Sequence, residues 1–279
     1  MLLAPGCVLA PVDLESRPCP CAAGWAGDDA RNRCVRDGQD TGVAVDGGVV
    51  DAGRGIDAYV EDPTTSCDDL LSGALFCESF EDPSMLHWGV REAYDGTVGY
   101  TRDRAFRGLG ALGASTSAPG GYAERIATVL GSISDGDVFV RAYVYVADGA
   151  PLVHASILHV GGHRSRVATE PLAGFNVMEG FGSMYVGAAG MHVNQQLVMV
   201  PRDDWFCVQF MLHVDDVDGV ARFWIDDELA GELVGIDTRN EMPYESLGAG
   251  IAWSTLTQEP FDVFVDEIAV SRTRMPCEE

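Results

Sequence analysis

From Leu75 to Cys277 the chain runs in short stretches where apolar and polar positions alternate, each closed by Gly, Asp or Pro. In DVFVRAYVYV (137–146), Val138, Val140, Ala142, Val144 and Val146 share one face, and Phe139, Arg141, Tyr143 and Tyr145 share the other. WFCVQFMLHV (205–214) places Phe206, Val208, Phe210, Leu212 and Val214 together, with Trp205, Gln209, Met211 and His213 opposite. ARFWID (221–226) continues with Ala221, Phe223 and Ile225 inward and Arg222 and Trp224 outward. A period of two is the signature of β-strands, since successive side chains point to opposite faces of a sheet. DDVDG (215–219) and DDELAG (226–231) supply the turns, from residues that tolerate tight or left-handed backbone. No long amphipathic helix is visible. Many short strands with one apolar face each predict an antiparallel two-sheet sandwich or jelly roll. LFCESFED (75–82) would open it and FVDEIAVSRTRMPC (264–277) would close it, with the first and last strands side by side.

Upstream the pattern changes. Residues 1–17 are an apolar N-terminal region, and 18–36 (PCPCAAGWAGDDARNRCVR) form a small cysteine-rich segment. Residues 37–66 are built from Asp, Gly, Val and Ala without strand or helix period, and read as a solvated tether. Asp recurs in the tether at 37, 40, 46, 51, 57 and 62, in a spacing that fits neither an EF-hand loop nor a glycine-rich calcium repeat. The sandwich would occupy 67–279.

Composition narrows the partners. The 279 residues carry a formal net charge of −25, and all 18 basic residues are Arg. Nucleic acids and anionic membranes need concentrated cationic surface, so neither is an expected partner. The eight cysteines contain no CxxC pair and no histidine at ligand spacing, which argues against zinc. Scattered cysteines in a loop-rich β chain point to disulfides and export. No stretch reaches the roughly 18 apolar residues of a membrane span. MLLAPGC resembles the last part of a bacterial lipoprotein signal, in which Cys7 would be lipidated, given a start site upstream of Met1. Pro5 departs from the usual small residue there. The membrane would then be reached only through a lipid anchor, at the outer membrane or cell surface. Otherwise the chain would be secreted or periplasmic. A monomer is expected.

Two disulfides suggest themselves. Cys67 and Cys77 flank a short loop at the domain's entry, and Cys207–Cys277 would pin the C-terminal end to a central strand. Cys77–Cys277 is an alternative, because the first and last strands should be neighbours.

The order GLGALGAS (108–115), VFVRAYVYV, WFCVQF, RFWIDDELAGEL and VDEIAVS resembles the concanavalin A-like lectin/glucanase fold, nearest to its laminin-G-like and polysaccharide-lyase-like modules. Asp226-Asp227-Glu228 stands where that family has Asp-Gly, which leaves the turn type open. The resemblance implies a curved jelly roll with a carbohydrate-facing side. It also implies a structural Ca²⁺ held by Glu81 and Asp266 with backbone oxygens from the Gly108–Gly110 turn. Function is not implied by the fold, because lectins, lyases, hydrolases and adhesive modules share it.

The catalytic patterns of such enzymes are absent or degraded. No Glu-x-Asp-x-x-Glu strand occurs. For a lyase, SILH offers His159 without the expected Gln, SMYVG offers Tyr185, and in YAER Glu124 and Arg125 face opposite ways. The outward stripe of Arg141, Tyr143 and Tyr145, with Trp224 on another strand, offers rings for stacking sugars and an Arg for hydrogen bonding. The same stripe would equally serve as a second core layer under a covering loop. The leading expectation is a surface-anchored, non-enzymatic glycan-binding module. A polysaccharide lyase or hydrolase with a divergent site is the rival, and a structural or adhesive envelope protein a third reading.

Overall fold

A computed structural model describes residues 25–28, 33–36, 74–162, 173–193, 198–239 and 243–277. The chain divides into two units, Met1–Asp57 and Ala58–Glu279. In the first, β1 (Trp25–Asp28) and β2 (Arg33–Arg36) form an antiparallel pair within the cysteine-rich segment. Cys7, Cys19, Cys21, Cys67 and the tether 37–66 lie outside the described residues.

The second unit is all β, and its described strands pair antiparallel in two sheets. The front sheet runs β12 (Met191–Val193), β11 (Phe181–Val186), β10 (Ala173–Met178), β9 (His154–Gly161), β16 (Ser246–Ser254), β7 (Tyr122–Ala127), β4 (Val90–Tyr94). The back sheet runs β15 (Glu228–Ile236), β14 (Gly219–Ile225), β13 (Trp205–Val214), β8 (Gly136–Val146), β17 (Asp262–Ser271), β6 (Ala111–Thr116), β5 (Gly96–Thr101). β3 (Ala74–Glu78) also pairs with β17, so the first and last strands of the sandwich are neighbours as expected. The architecture is a jelly-roll sandwich of the concanavalin A-like kind.

The core is the sum of the inward halves of these alternations. Val138, Val140, Ala142, Val144 and Val146 of β8 meet Phe206, Val208, Phe210 and Leu212 of β13 in one buried cluster. Phe175, Val177, Met184, Val186, Leu158, Val160, Leu247 and Ile251 of the front sheet close it from the other side. Burying side chains of this size contributes about 1.5–3 kcal/mol each, which is why every strand keeps its period. At the turn from β14 to β15, Ile225 faces Glu228 across Asp226 and Asp227, both with positive φ (49° and 63°). That is a two-residue turn of the primed type that hairpin twist favours, with Asp in place of Gly.

β17 carries the bend that shapes one edge. Its N-terminal half, Asp262–Val265, pairs with β6, and its C-terminal half, Ile268–Ser271, pairs with β3. Between the halves the register to β8 slips by one residue at a bulge containing Asp266 and Glu267, whose φ is +49°. The loop from β5 to β6 passes over this junction.

Candidate functional site

The structure places the sequence-derived candidates on opposite faces of the sandwich. Arg141, Tyr143, Tyr145 and Trp224 lie on the outer face of the back sheet, and all four are covered by the chain itself. They are 2%, 3%, 3% and 7% exposed. Phe106, in the loop after β5, stacks on Tyr143 at 3.6 Å between ring centroids, and the Arg104 guanidinium lies 3.9 Å over the Tyr145 ring. The Tyr145 hydroxyl donates to Asp203 Oδ1, and burial together with that bond raises its pKa. From the other end, Arg274 lies 4.5 Å over Trp224, and Arg141 donates to the carbonyl of Pro276. The stripe is therefore the second core layer, and none of these four side chains offers a face to a sugar. This corrects the sugar-stacking expectation. An aromatic row this large is stable outward only when something removes it from water, and here the 102–107 loop and the C-terminal segment do so.

That C-terminal segment is held by the Cys207–Cys277 disulfide, with Cα atoms 6.0 Å apart. The bond fulfils one expected pairing and excludes Cys77–Cys277. Cys77 is itself disulfide-bonded, while its expected partner Cys67 lies outside the described residues. Gln209 and Asp227 knit the same corner: Gln209 donates to Asp227 Oδ1, and Arg274 donates to both.

Glu81 and Asp266 do converge on one place, the loop between β5 and β6, but their oxygens are engaged by N–H donors. Asp266 Oδ2 accepts from the backbone N–H of Phe106 and Arg107, and its Oδ1 from Glu267. Glu81 accepts from the N–H of Leu109 and Gly110. Gly108, at φ +63°, lacks the Cβ that would collide with the Glu81 carboxylate. The expected Ca²⁺ set needed oxygens from this turn, and the turn presents hydrogens instead. Among the described residues no group of three or more His, Cys, Asp or Glu gathers to hold a metal. These residues fit a loop clamp and do not fit a calcium site. Asp266 is fully buried, and burial, reinforced by the neighbouring Glu267, pushes its carboxyl well above the ordinary range against the pull of three N–H donors.

The front sheet carries the other candidates. The register lines up Ile126, Gly248, His159, Gly174, Tyr185 and His192 in one ladder row across β7, β16, β9, β10, β11 and β12. His159 and Tyr185, named from sequence as lyase residues, are thus brought onto one face with only Gly174 between them. In the adjoining row, Ser156, Asn176 and Ser183 stand side by side, Asn176 and Ser183 buried.

His159 is not a surface histidine. Its Nε2 lies 2.6 Å from Glu124 Oε2, and both side chains are buried. Their strands, β9 and β7, are separated by β16, so the backbones stand two strand steps, about 10 Å, apart. The side chains meet because residue 248 between them is glycine: a Cβ there would collide with the His159 ring. Among the described residues, Glu124 Oε1 and His159 Nδ1 find no hydrogen-bond partner. A sequence reading of strand faces misses this pair, since residues 35 positions apart are linked only through the register of a third strand. Gly248, one of two glycines in β16, is the local sign of this close approach.

Two further rings, Trp253 and His154, join His192 and Tyr185 on this face. Trp253 of β16 packs edge-on to His154 of β9 at 4.9 Å, His154 meets His192 of β12 at 5.4 Å, and His192 meets Tyr185 at 4.9 Å. Ser183 Oγ lies 3.2 Å from His192 Nδ1. Burial holds His154 below its ordinary pKa, and burial together with the charge of His154 does the same for His192.

No family model matches the chain, and no curated protein matches it. Solved structures do. The chain is similar to a cellulose-induced protein, Cip1, at 16% identity, covering 73% of this chain and 100% of that one with a TM-score of 0.55. It is similar to an endo-β-1,4-glucuronan lyase from the fungus Trichoderma reesei at 15% identity, covering 72% and 96% with a TM-score of 0.57. It is also similar to the alginate lyase vAL-1 from Chlorella virus at 10% identity, covering 72% and 100% with a TM-score of 0.53. At these identities the likeness is one of fold, the jelly-roll sandwich, over 72–73% of this chain.

Proposed function

We propose that this chain is a glycan-binding module that holds a polysaccharide across the outer face of the front sheet. The observation that carries the reading is the pair Tyr185 and His192, neighbours on the outer face of the front sheet and both part-exposed, which continue the row that buried His159 begins. Carbohydrate sites combine rings with a few placed polar groups, and this face has both, whereas the back sheet's aromatic stripe is sealed. The folds it resembles include proteins whose names tie them to cellulose, glucuronan and alginate. Screening a glycan array with the full chain tests the reading, which requires binding that Tyr185→Ala weakens. Binding to no glycan supports a structural or adhesive role instead.

A second reading, cleavage of a uronate polymer by β-elimination, is favoured by the His159 and Tyr185 pairing across Gly174. A base takes the proton beside the uronate carboxyl, an acid protonates the leaving oxygen, and a double bond remains in the sugar. Incubation with polyuronates, following the ultraviolet absorbance of the unsaturated product, separates the two.

Export, and attachment of a monomeric chain to the cell surface by a lipid on Cys7, belong to the same proposal. The Cys207–Cys277 disulfide supports an oxidising compartment. Labelling with a palmitate analogue, abolished by Cys7→Ser, is the expected outcome.

A further inference from the structure

Trp253, His154, His192 and Tyr185 come from four strands that occupy different positions across the front sheet, yet their rings touch in sequence. β9 and β12 are three strand steps apart, about 14 Å at about 4.8 Å per step. The His154 and His192 rings nevertheless lie 5.4 Å apart, so they lean towards each other over the strands between. Asn176 and Ser183 are buried in the row between them. Trp253 remains 38% exposed at one end of this line, and Tyr185 and His192 are partly open at the other. At the β4 edge of the same face Tyr94 and Tyr122 stack at 6.1 Å, with Tyr94 exposed.

Resting on the glycan-binding reading above, we propose that these four rings form a stacking track for a neutral, hydroxyl-rich polysaccharide and that uronate polymers are not its ligands. The charges on the face carry the second half of this inference. Among the described residues facing outward from the front sheet none is Arg, and the chain has no Lys. Arg125 of β7 points the other way, donating to the carbonyl of Trp88 beneath the sheet. The carboxylates on the face are those of Glu92 and Glu124, opposite each other on β4 and β7. The two histidines of the track stay uncharged at neutral pH because burial favours their neutral forms. A uronate arriving here meets carboxylates and neutral imidazoles, with no cation among the described residues of the face to pair with. A sugar hydroxyl both donates and accepts, and so suits neutral imidazole nitrogens and the Tyr185 phenol, while its C–H face covers the exposed indole.

The test is affinity electrophoresis of the full chain through gels containing either neutral polysaccharides (a β-glucan, a xylan and a galactomannan) or polyuronates (alginate and polyglucuronate), at one ionic strength. We expect retardation by at least one neutral polymer, weakened roughly tenfold by Trp253→Ala, as for the loss of one aromatic anchor. Trp253→Phe restores it, and an unchanged melting temperature shows that both variants fold. Retardation by polyuronates alone overturns this inference and leaves the glycan reading standing. Retardation by a neutral polymer that neither Trp253→Ala nor His154→Ala weakens overturns the track. Retardation by none of the polymers brings down the glycan reading itself.

Discussion

Glu124 and His159 meet at 2.6 Å although a whole strand, β16, runs between their backbones. The bond exists because Gly248 contributes no side chain at the crossing. Two buried polar groups thus depend on a third residue that has no side chain to offer either. Leaving one partner of such a pair buried alone costs about 3–5 kcal/mol. Glu124→Ala should lower stability by that order, and Glu124→Gln by less, since its amide still reaches hydrogen-bond distance of His159 Nε2. Gly248→Ala should also destabilise, by about 1–3 kcal/mol, because the inserted methyl forces the His159 ring away. Denaturant unfolding of the three variants checks the order. A Gly248→Ala protein as stable as the parent would mean that the ring accommodates the methyl without losing Glu124.

The sealing of the back sheet separates the two faces experimentally. Phe106→Ala removes a ring stacked on Tyr143, and the exposed tyrosine face should cost about 2–4 kcal/mol of stability. Glycan binding should not change, because the proposed site is on the other sheet. Tyr185→Phe should do the reverse, leaving the melting temperature within a degree or so and weakening binding through the lost hydroxyl. Measuring both properties on both variants assigns the face.

Much of the architecture was legible in the sequence, and the reason is local. The alternations in 137–146, 205–214 and 221–226 sort core from non-core positions correctly, because each strand face is decided by its own period. The same rule could not say what lies above an outward face. Phe139, Arg141 and Tyr143 look alike whether they meet water, sugar or a loop, and the covering Phe106 and Arg104 sit in a segment with no period to read. Glu81 and Asp266 both meet the 106–110 loop, but whether that loop shows them carbonyls or amides depends on backbone orientation. His159 and Tyr185 were found as single residues. Their relation to each other, and to Glu124, is a property of register across several strands, which no short window contains.

The buried carboxyl of Asp266 sets a pH signature. Its pKa in the folded chain is raised, by burial first and by Glu267 second. The folded state therefore binds this proton more tightly than the unfolded chain does. The stabilising contribution is full below the unfolded value, about 4, and is lost as pH rises through the raised folded value. Asp266→Asn removes that titration. The stability of the parent minus that of the variant should be greatest in acid and fall with rising pH. Unfolding curves from about pH 3 to about pH 8 read this difference directly. A difference that grows with pH would show that the N–H groups of Phe106, Arg107 and Glu267 outweigh burial.

His154 and His192 act in the opposite sense. Both are held below the ordinary histidine value, by burial and, for His192, also by the charge on His154. Their neutral forms favour the fold above about pH 6.5, and that contribution is lost as pH falls through the depressed values. Acidification should therefore loosen the ring line and weaken glycan binding together. His154→Gln should flatten the acid limb of the binding curve, because the repulsion between two imidazolium rings is gone. A binding curve with the same acid limb in parent and variant would assign the pH dependence to another group.

The Cys207–Cys277 bond ties the end of the chain to β13, the strand next to the long central β8, across a sequence separation of 70. A loop of that length gives roughly 4 kcal/mol in the chain-entropy account. The bond also has a local consequence, since Arg274 over Trp224 and the Pro276 carbonyl on Arg141 both belong to the segment it anchors. Cys277→Ser should therefore lower stability by about 2–5 kcal/mol and also expose Trp224, shifting its fluorescence to the red before global unfolding. Front-sheet binding should persist in the variant at temperatures where it remains folded. If the fluorescence shift and the main unfolding transition coincide, the C-terminal cover is held by the whole back sheet, and the disulfide adds only its effect on the unfolded chain.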